Sequence, residues 1–298
     1  MPHTFHKNLK PTFPWIVVSF VMVMLVSSSV RAGLIINEVF RGNHNEESYV
    51  EFLLTSDLTL QELDGIWFGD SGANTRSVST ERNFNSAEII SNSSYFNSTS
   101  DTLRAGTFLT VAGSRVATDF TYNPSSSNPG DTDSWNITLG NGAGFGSGGG
   151  GPSLFNIQQN GDVIWVSSSR PSAGAGSSDF ISALAFDRQP GALALEVQAL
   201  AQSGNDAFQL VTRPEFDDRL GRGNSLSNLS DDAIDFANSE ASGGSLGIGN
   251  PGSSANNDFA YDLRAVPEPS TVIPCLVIAA FGIVVAFRAN RREATTAV

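Results

Sequence analysis

Two long apolar runs stand at opposite ends of this chain, and between them hydrophobic residues come only in short bursts. The first run covers residues 15–26 and is interrupted only by Ser19. The second covers 272–287 and holds no charged residue. Each burst lasts a few positions before a cluster of Gly, Ser, Asn or Asp ends it, which is the spacing of β-strands. Residues 34–40 and 49–54 form the first pair, separated by the polar turn 42–47. Residues 63–70 read as a short strand ending in a turn, and 135–139, 162–166, 180–186 and 208–211 supply further strands.

Four stretches carry a weaker pattern. Residues 71–102 are rich in Ser and Asn, with 87–90 as the one short strand candidate. In 192–200 the alternation of Leu193, Leu195 and Val197 suits a strand, whereas the Ala and Leu content favours helix. Residues 140–151 are nearly all glycine and read as a flexible loop. Residues 221–258 are polar and loop-like, thinning into a linker at Arg264. Many short strands split by such turns predict an all-β sandwich with long loops.

The terminal runs have flanks that give them a meaning. Lys7 and Lys10 precede the first, and Ser27, Ser28, Ser29 and then Val30-Arg31-Ala32 follow it. Small residues at −3 and −1 predict a secretory signal peptide, residues 1–32, cut between Ala32 and Gly33. The second run would make a helix of about 24 Å, short of the hydrocarbon core but able to span it with some thinning and snorkelling. Arg288, Arg291 and Arg292 follow it at once. Basic residues just past an apolar span hold that side in the cytoplasm, which puts everything before the transmembrane helix 272–287 outside. The chain thus divides into a signal peptide, a β-sandwich domain at 33–262 and a C-terminal segment at 263–298.

Composition narrows the exported part. The sole cysteine, Cys275, lies in the second apolar run, so the sandwich has no disulfide and its core must supply stability alone. The chain carries a net charge of −13, and its only lysines are the two at the N-terminus. An acidic surface repels phosphate backbones and argues against nucleic acid as a partner.

The C-terminal segment, with Pro267-Glu268-Pro269, an apolar helix and a basic cluster in that order, resembles the PEP-CTERM sorting signal over residues 266–292. The resemblance implies a bacterial protein passed through the secretion machinery and held in the inner membrane before processing. An exosortase, a membrane-embedded cysteine peptidase or transpeptidase, would recognise Pro267, Glu268 and Pro269. The product would reach the cell surface or the medium, with exopolysaccharide as a possible partner. The domain itself resembles the lamin tail domain, an immunoglobulin-like β-sandwich. The matching blocks are Ile36-Asn37-Glu38-Val39, Tyr49-Val50-Glu51-Phe52, and Leu63-Asp64-Gly65-Ile66-Trp67-Phe68-Gly69-Asp70. Leu103 to Val111 and Asp235-Phe236 with Gly247 to Gly252 resemble later parts of that family.

Several motifs suggest chemistry. Gly69-Asp70-Ser71-Gly72 matches the nucleophile segment of chymotrypsin-like proteases, but His44 is the only histidine left after signal cleavage and lies in a polar turn. Gly144, Gly146 and Gly149 have dinucleotide-fingerprint spacing inside a glycine-rich linker, with no helix to open. One histidine and no usable cysteine exclude the common zinc sites. Calcium needs only oxygen ligands, and Asp131 and Asp133, Asp217 and Asp218, and Asp231, Asp232 and Asp235 are the candidates, with solvated loop acids as the simpler reading. Glu38 and Glu51 on adjacent strands could form a carboxylate pair of the glycosidase type, though the sandwich framework accounts for both. Trp67, Trp135 and Trp165 suit a core better than a sugar-stacking platform. Four sequons, at Asn92, Asn97, Asn136 and Asn228, follow from the Ser/Asn-rich composition. The expectation is a non-catalytic exported surface or extracellular-matrix protein with no required cofactor. The alternative is a module that binds polysaccharide or calcium through its loops.

Overall fold

The structure is a computed structural model that describes residues 33–72, 81–125, 133–140, 155, 157, 161–170, 177–187, 191–203, 207–211, 224–228, 236–239 and 254–265. These residues are mostly β-strand, in two large sheets and a short ribbon, with few helices.

The six-stranded sheet is built around β1 (Leu34–Arg41) and β2 (Tyr49–Leu54), which pair antiparallel as the first two apolar bursts predict. Beyond β2 lie β7 (Phe108–Ala112) and then β8 (Asn136–Leu139), the latter parallel to β7. On the other side of β1 lie β12 (Asn224–Asn228) and β13 (Phe236–Ser239). The five-stranded sheet runs in the order β11 (Phe208–Val211), β10 (Phe180–Asp187), β9 (Gly161–Ser167), β4 (Trp67–Ser71) and β5 (Arg82–Asn83). A two-stranded ribbon joins β3 (Leu58–Thr59) to β6 (Thr102–Leu103).

One face of each sheet meets the other in a common core. Leu34, Ile36, Val39, Val50, Phe52, Leu109, Val111, Ile137 and Leu139 come from the six-stranded sheet. Phe68, Ile164, Val166, Leu184 and Phe186 come from the five-stranded sheet. A second cluster holds the alternate residues, Ile35, Leu53 and Phe108 of one sheet and Val163, Trp165, Ala183 and Ala185 of the other. This split into odd and even positions is what period-two alternation produces when both faces of a strand are covered. The sheets also touch through polar atoms. β12 covers β1 only from Glu38 onward, and upstream of that point the Ile36 N–H donates to Ser182 Oγ on β10 at 3.2 Å.

Three places depart from the sequence expectation, and a fourth, left open between strand and helix, is decided. Leu63 and Asp64 end a short helix, α1 (Leu60–Asp64), rather than opening a strand. Thr59 caps it: the Glu62 N–H donates to Thr59 Oγ1, and the Glu62 carboxylate accepts from the Thr59 N–H at 2.8 Å. The Thr59 N–H and O–H, both donating to the Glu62 carboxylate, hold that carboxyl below its ordinary range. The strand candidate at 87–90 belongs to a helix, α2 (Ser86–Asn92). There Asn85 caps the Ala87 N–H, Asp64 accepts from both N–H and O–H of Ser86, and Ile89 is buried in the core. Local capping outweighs the β-propensity of Ile89 and Ile90.

The ambiguous Ala/Leu stretch is a helix, α3 (Ala192–Gln202). Leu193, Ala194 and Val197 are buried while Leu195 is 48% exposed, a helical period rather than alternation. Topology requires it as well, because β10 and β11 lie side by side in parallel and parallel neighbours need a crossover. The last departure is the polar region 221–258. It holds β12, β13 and the start of α4 (Ser254–Ala265), so Arg264 lies in a helix rather than a linker. The expected domain boundary at 262 falls inside α4.

Candidate functional site

β1 carries one residue more than the stretch of β2 opposite it. Ile36 faces Phe52 and Glu38 faces Glu51, so Asn37 is a bulge. The bulge moves Val39 to the core side and sets Glu38 beside Glu51 on the opposite face. Both carboxylates are fully buried. Asn37 Nδ2 donates to Glu51 Oε1 at 2.8 Å, Tyr49 O–H to Glu38 Oε2 at 2.9 Å, and Thr110 O–H to Glu51 Oε2 at 3.5 Å. Phe40 stacks on Tyr49 with ring centroids 4.9 Å apart. Two carboxyl groups opposite each other across a ladder are costly to bury, and these donors offset part of that cost. The first two of the sequence blocks in the lamin-tail resemblance are therefore hydrogen-bonded to each other. Both carboxylates are thus engaged by side chains of their own and neighbouring strands.

The protease-like motif is also consumed by the fold. Ser71 is buried at the end of β4, and its Oγ accepts the indole N–H of Trp165 at 2.9 Å. Gly69 lies beneath that indole, where a Cβ would come within 2.7 Å of Trp165 Cζ2. Gly-Asp-Ser is thus the seat of a tryptophan. Trp165 and Trp135 are fully buried, whereas Trp67 is half-buried under the guanidinium of Arg170, 5.2 Å from its ring. Glu81 holds that guanidinium, accepting from Arg170 Nε at 2.9 Å.

One buried charge reaches out of the core toward the C-terminal segment. Arg264, in the last turn of α4, is 1% exposed. Its Nε–H donates to the Gly106 carbonyl at 2.8 Å. Its guanidinium carbon lies 5.1 Å from the ring of Phe108, 5.3 Å from Trp135 and 5.6 Å from Tyr261. The aromatic rings around the cation offset part of the cost of burying it. Gly106 has φ +84°, and a Cβ there would fall 2.8 Å from the Ala260 carbonyl and closer still to Arg264 Cγ. Glycine is required at this turn both for its backbone and for the approach of α4.

The turn that presents Gly106 is itself held from several directions. The Gly106 N–H donates to the Leu54 carbonyl at 2.7 Å, and the Ala105 N–H to Asp57 Oδ1 at 2.7 Å. The Arg104 N–H donates to Tyr122 Oη at 2.9 Å, and that hydroxyl also bonds Thr107 Oγ1 at 3.1 Å. Burial pushes the Tyr122 phenol well above its ordinary pKa. Phe96 stacks on Tyr122 at 5.2 Å, closing the site from the 93–101 side.

Gly33 lies directly before β1, and its carbonyl accepts from the Thr55 N–H at 3.2 Å. Ala32, Pro267, Glu268, Pro269, Arg288, Arg291 and Arg292 lie outside the described residues, as does the span 272–287. Among the described residues no helix is long and apolar enough to cross a membrane. Of the calcium candidates, Asp133 begins a 3-10 turn at Asp133–Trp135, and the others fall outside the described residues. Among the described residues no three His, Cys, Asp or Glu side chains come together.

Reading residues 221–258 as loop and Arg264 as linker missed the buried role of Arg264. The signal was present in Phe259, Ala260 and Leu263, which follow a helical spacing, with Arg264 adjoining them. No family model, curated protein or solved structure matches the chain.

Proposed function

We propose that this protein is a non-catalytic β-sandwich exported to the cell surface or extracellular matrix and handled through its C-terminal segment as a PEP-CTERM-type sorting substrate. The sandwich is of the immunoglobulin-like, lamin-tail kind. The observation that carries the reading is the position of α4. Its last turn is pinned into the sandwich by Arg264, and Pro267-Glu268-Pro269 begins two residues after the helix ends at Ala265. The core starts as abruptly at the other end, with fully buried Leu34 two residues after Ala32. The two segments read as targeting signals therefore flank the fold on both sides. The non-catalytic part of the proposal draws on the buried placement of Glu38, Glu51 and Ser71, each bonded to a neighbouring strand of its own sheet.

Intact mass and terminal-peptide sequencing of protein recovered from its native envelope and medium test this reading. The expected species begins near Gly33 and ends close to Pro267-Glu268-Pro269. A chain still ending at Val298 in the inner membrane would overturn the sorting proposal. Calcium-dependent binding on a glycan array would replace the structural role with that of a binding module.

A further inference from the structure

The contact between α4 and the Gly106 turn has a consequence for the tail, and it deepens the sorting proposal, on which its biological meaning rests. α4 is a polar helix that meets the sandwich through Ala260, Phe259 and Leu263 and then through Arg264, whose aliphatic stem passes directly over Gly106. The residue that closes this contact is the penultimate one of the helix. Pro267 disfavours helical backbone at the residue before it, so the sequence itself ends the helix where the pin sits. We propose that α4 is a clamp: folding of the sandwich locks the chain through Arg264, so that an enzyme acting on the tail cannot engage the chain upstream of about Ala265. Peptidases read their substrates as extended strands. The clamp therefore sets the upstream limit of what such an enzyme can engage, and it does so only once the Gly106 turn, Phe108 and Trp135 are in place.

The clamp predicts a protease footprint. Trypsin cuts after arginine, and the full chain in detergent micelles offers Arg264 beside the sequence-remote Arg288, Arg291 and Arg292. The folded wild-type chain should resist cleavage after Arg264. Gly106→Ala puts a methyl against Arg264 Cγ and the Ala260 carbonyl, and should speed cleavage at Arg264 about tenfold or more. Hydrogen exchange of β9 and β10, read in the same samples, reports whether the sandwich is still folded. Should Gly106→Ala fail to fold, Arg264→Lys keeps the charge and the trypsin site while losing the planar stacking and the Nε donor, and should be cut faster than wild type. Rapid cutting after Arg264 in a folded wild-type chain would overturn the clamp, as would unchanged protection in both variants. These outcomes leave the sorting reading untouched. Conversely, a native chain recovered intact to Val298 with Arg264 protected would overturn sorting and leave the clamp standing.

Discussion

Two helices cover the outer sides of this sandwich, and they do so by different physics. α3 lays Leu193, Ala194 and Val197 on Val163, Ala183 and Ala185 of the five-stranded sheet, an apolar contact with no partner-specific geometry. α4 meets the sandwich through Ala260, Phe259 and Leu263 and, beside these, through the Arg264 guanidinium, the Gly106 carbonyl and the rings of Phe108 and Trp135, over a glycine with positive φ. Apolar cover is roughly proportional to area and tolerates shape-conserving exchange. Directional cover depends on a few atoms and fails when one of them changes. The helix next to the tail adds a directional contact to its apolar one, and that directional part can be removed by itself.

That contrast can be broken by substitution. Leu193→Ala should have the largest effect, lowering stability by about 2–5 kcal/mol, whereas Leu195→Ala on the exposed face should stay within about 0.5 kcal/mol. Urea unfolding midpoints measure both, and equal losses would mean that α3 does not cover the sheet as described. Arg264→Met should come next, at about 1–3 kcal/mol, with hydrogen exchange accelerating in α4 but not in β9 or β10. Uniform acceleration across all three would show that α4 is inseparable from the core.

Two smaller changes sharpen the comparison from outside the helices. Thr59→Ala removes the cap of α1 and should cost about 0.5–2 kcal/mol while leaving exchange in α3 and α4 as it was. Tyr122→Phe removes the hydroxyl that bonds Arg104 and Thr107 and should cost about 0.5–1.5 kcal/mol at neutral pH. It should also loosen α4, because that hydroxyl supports the turn beneath Arg264. The phenol's folded pKa is raised by burial, so the stability it lends is full below the unfolded value near pH 10 and falls as pH rises toward the folded value. Denaturation midpoints measured across that alkaline window should fall more steeply for wild type than for Tyr122→Phe. Parallel curves would sink the assignment.

How far the sequence revealed this depends on which force shapes each part. β1, β2, β9 and β10 were legible because burial imposes a visible pattern on residues such as Ile36, Phe52, Ile164 and Leu184. β12 was not, since Asn224-Ser225-Leu226-Ser227-Asn228 offers a single apolar residue and owes its place to pairing with β1. α2 was hidden by Ile89 and Ile90, whose β-propensity is overruled by the bonds of Asn85 and Asp64 to the first turn. The bulge at Asn37 left no composition signal, yet it alone decides that Glu38 lies beside Glu51. The Gly106 turn was equally silent, because one left-handed glycine says nothing of what will approach it.

The pairing of β1 with β12 joins residues near the start of the domain to residues close to its end. Contacts this distant in sequence slow folding, because the closure entropy of the whole intervening chain comes due before the pairing repays it. A chain delivered from its N-terminus emerges with β1 able to pair on the β2 side while the other edge stays open until residue 228 has followed. Completion of the domain is thus timed by the arrival of its own last third, and an unfinished molecule displays an unpaired strand edge of the kind that recruits other chains.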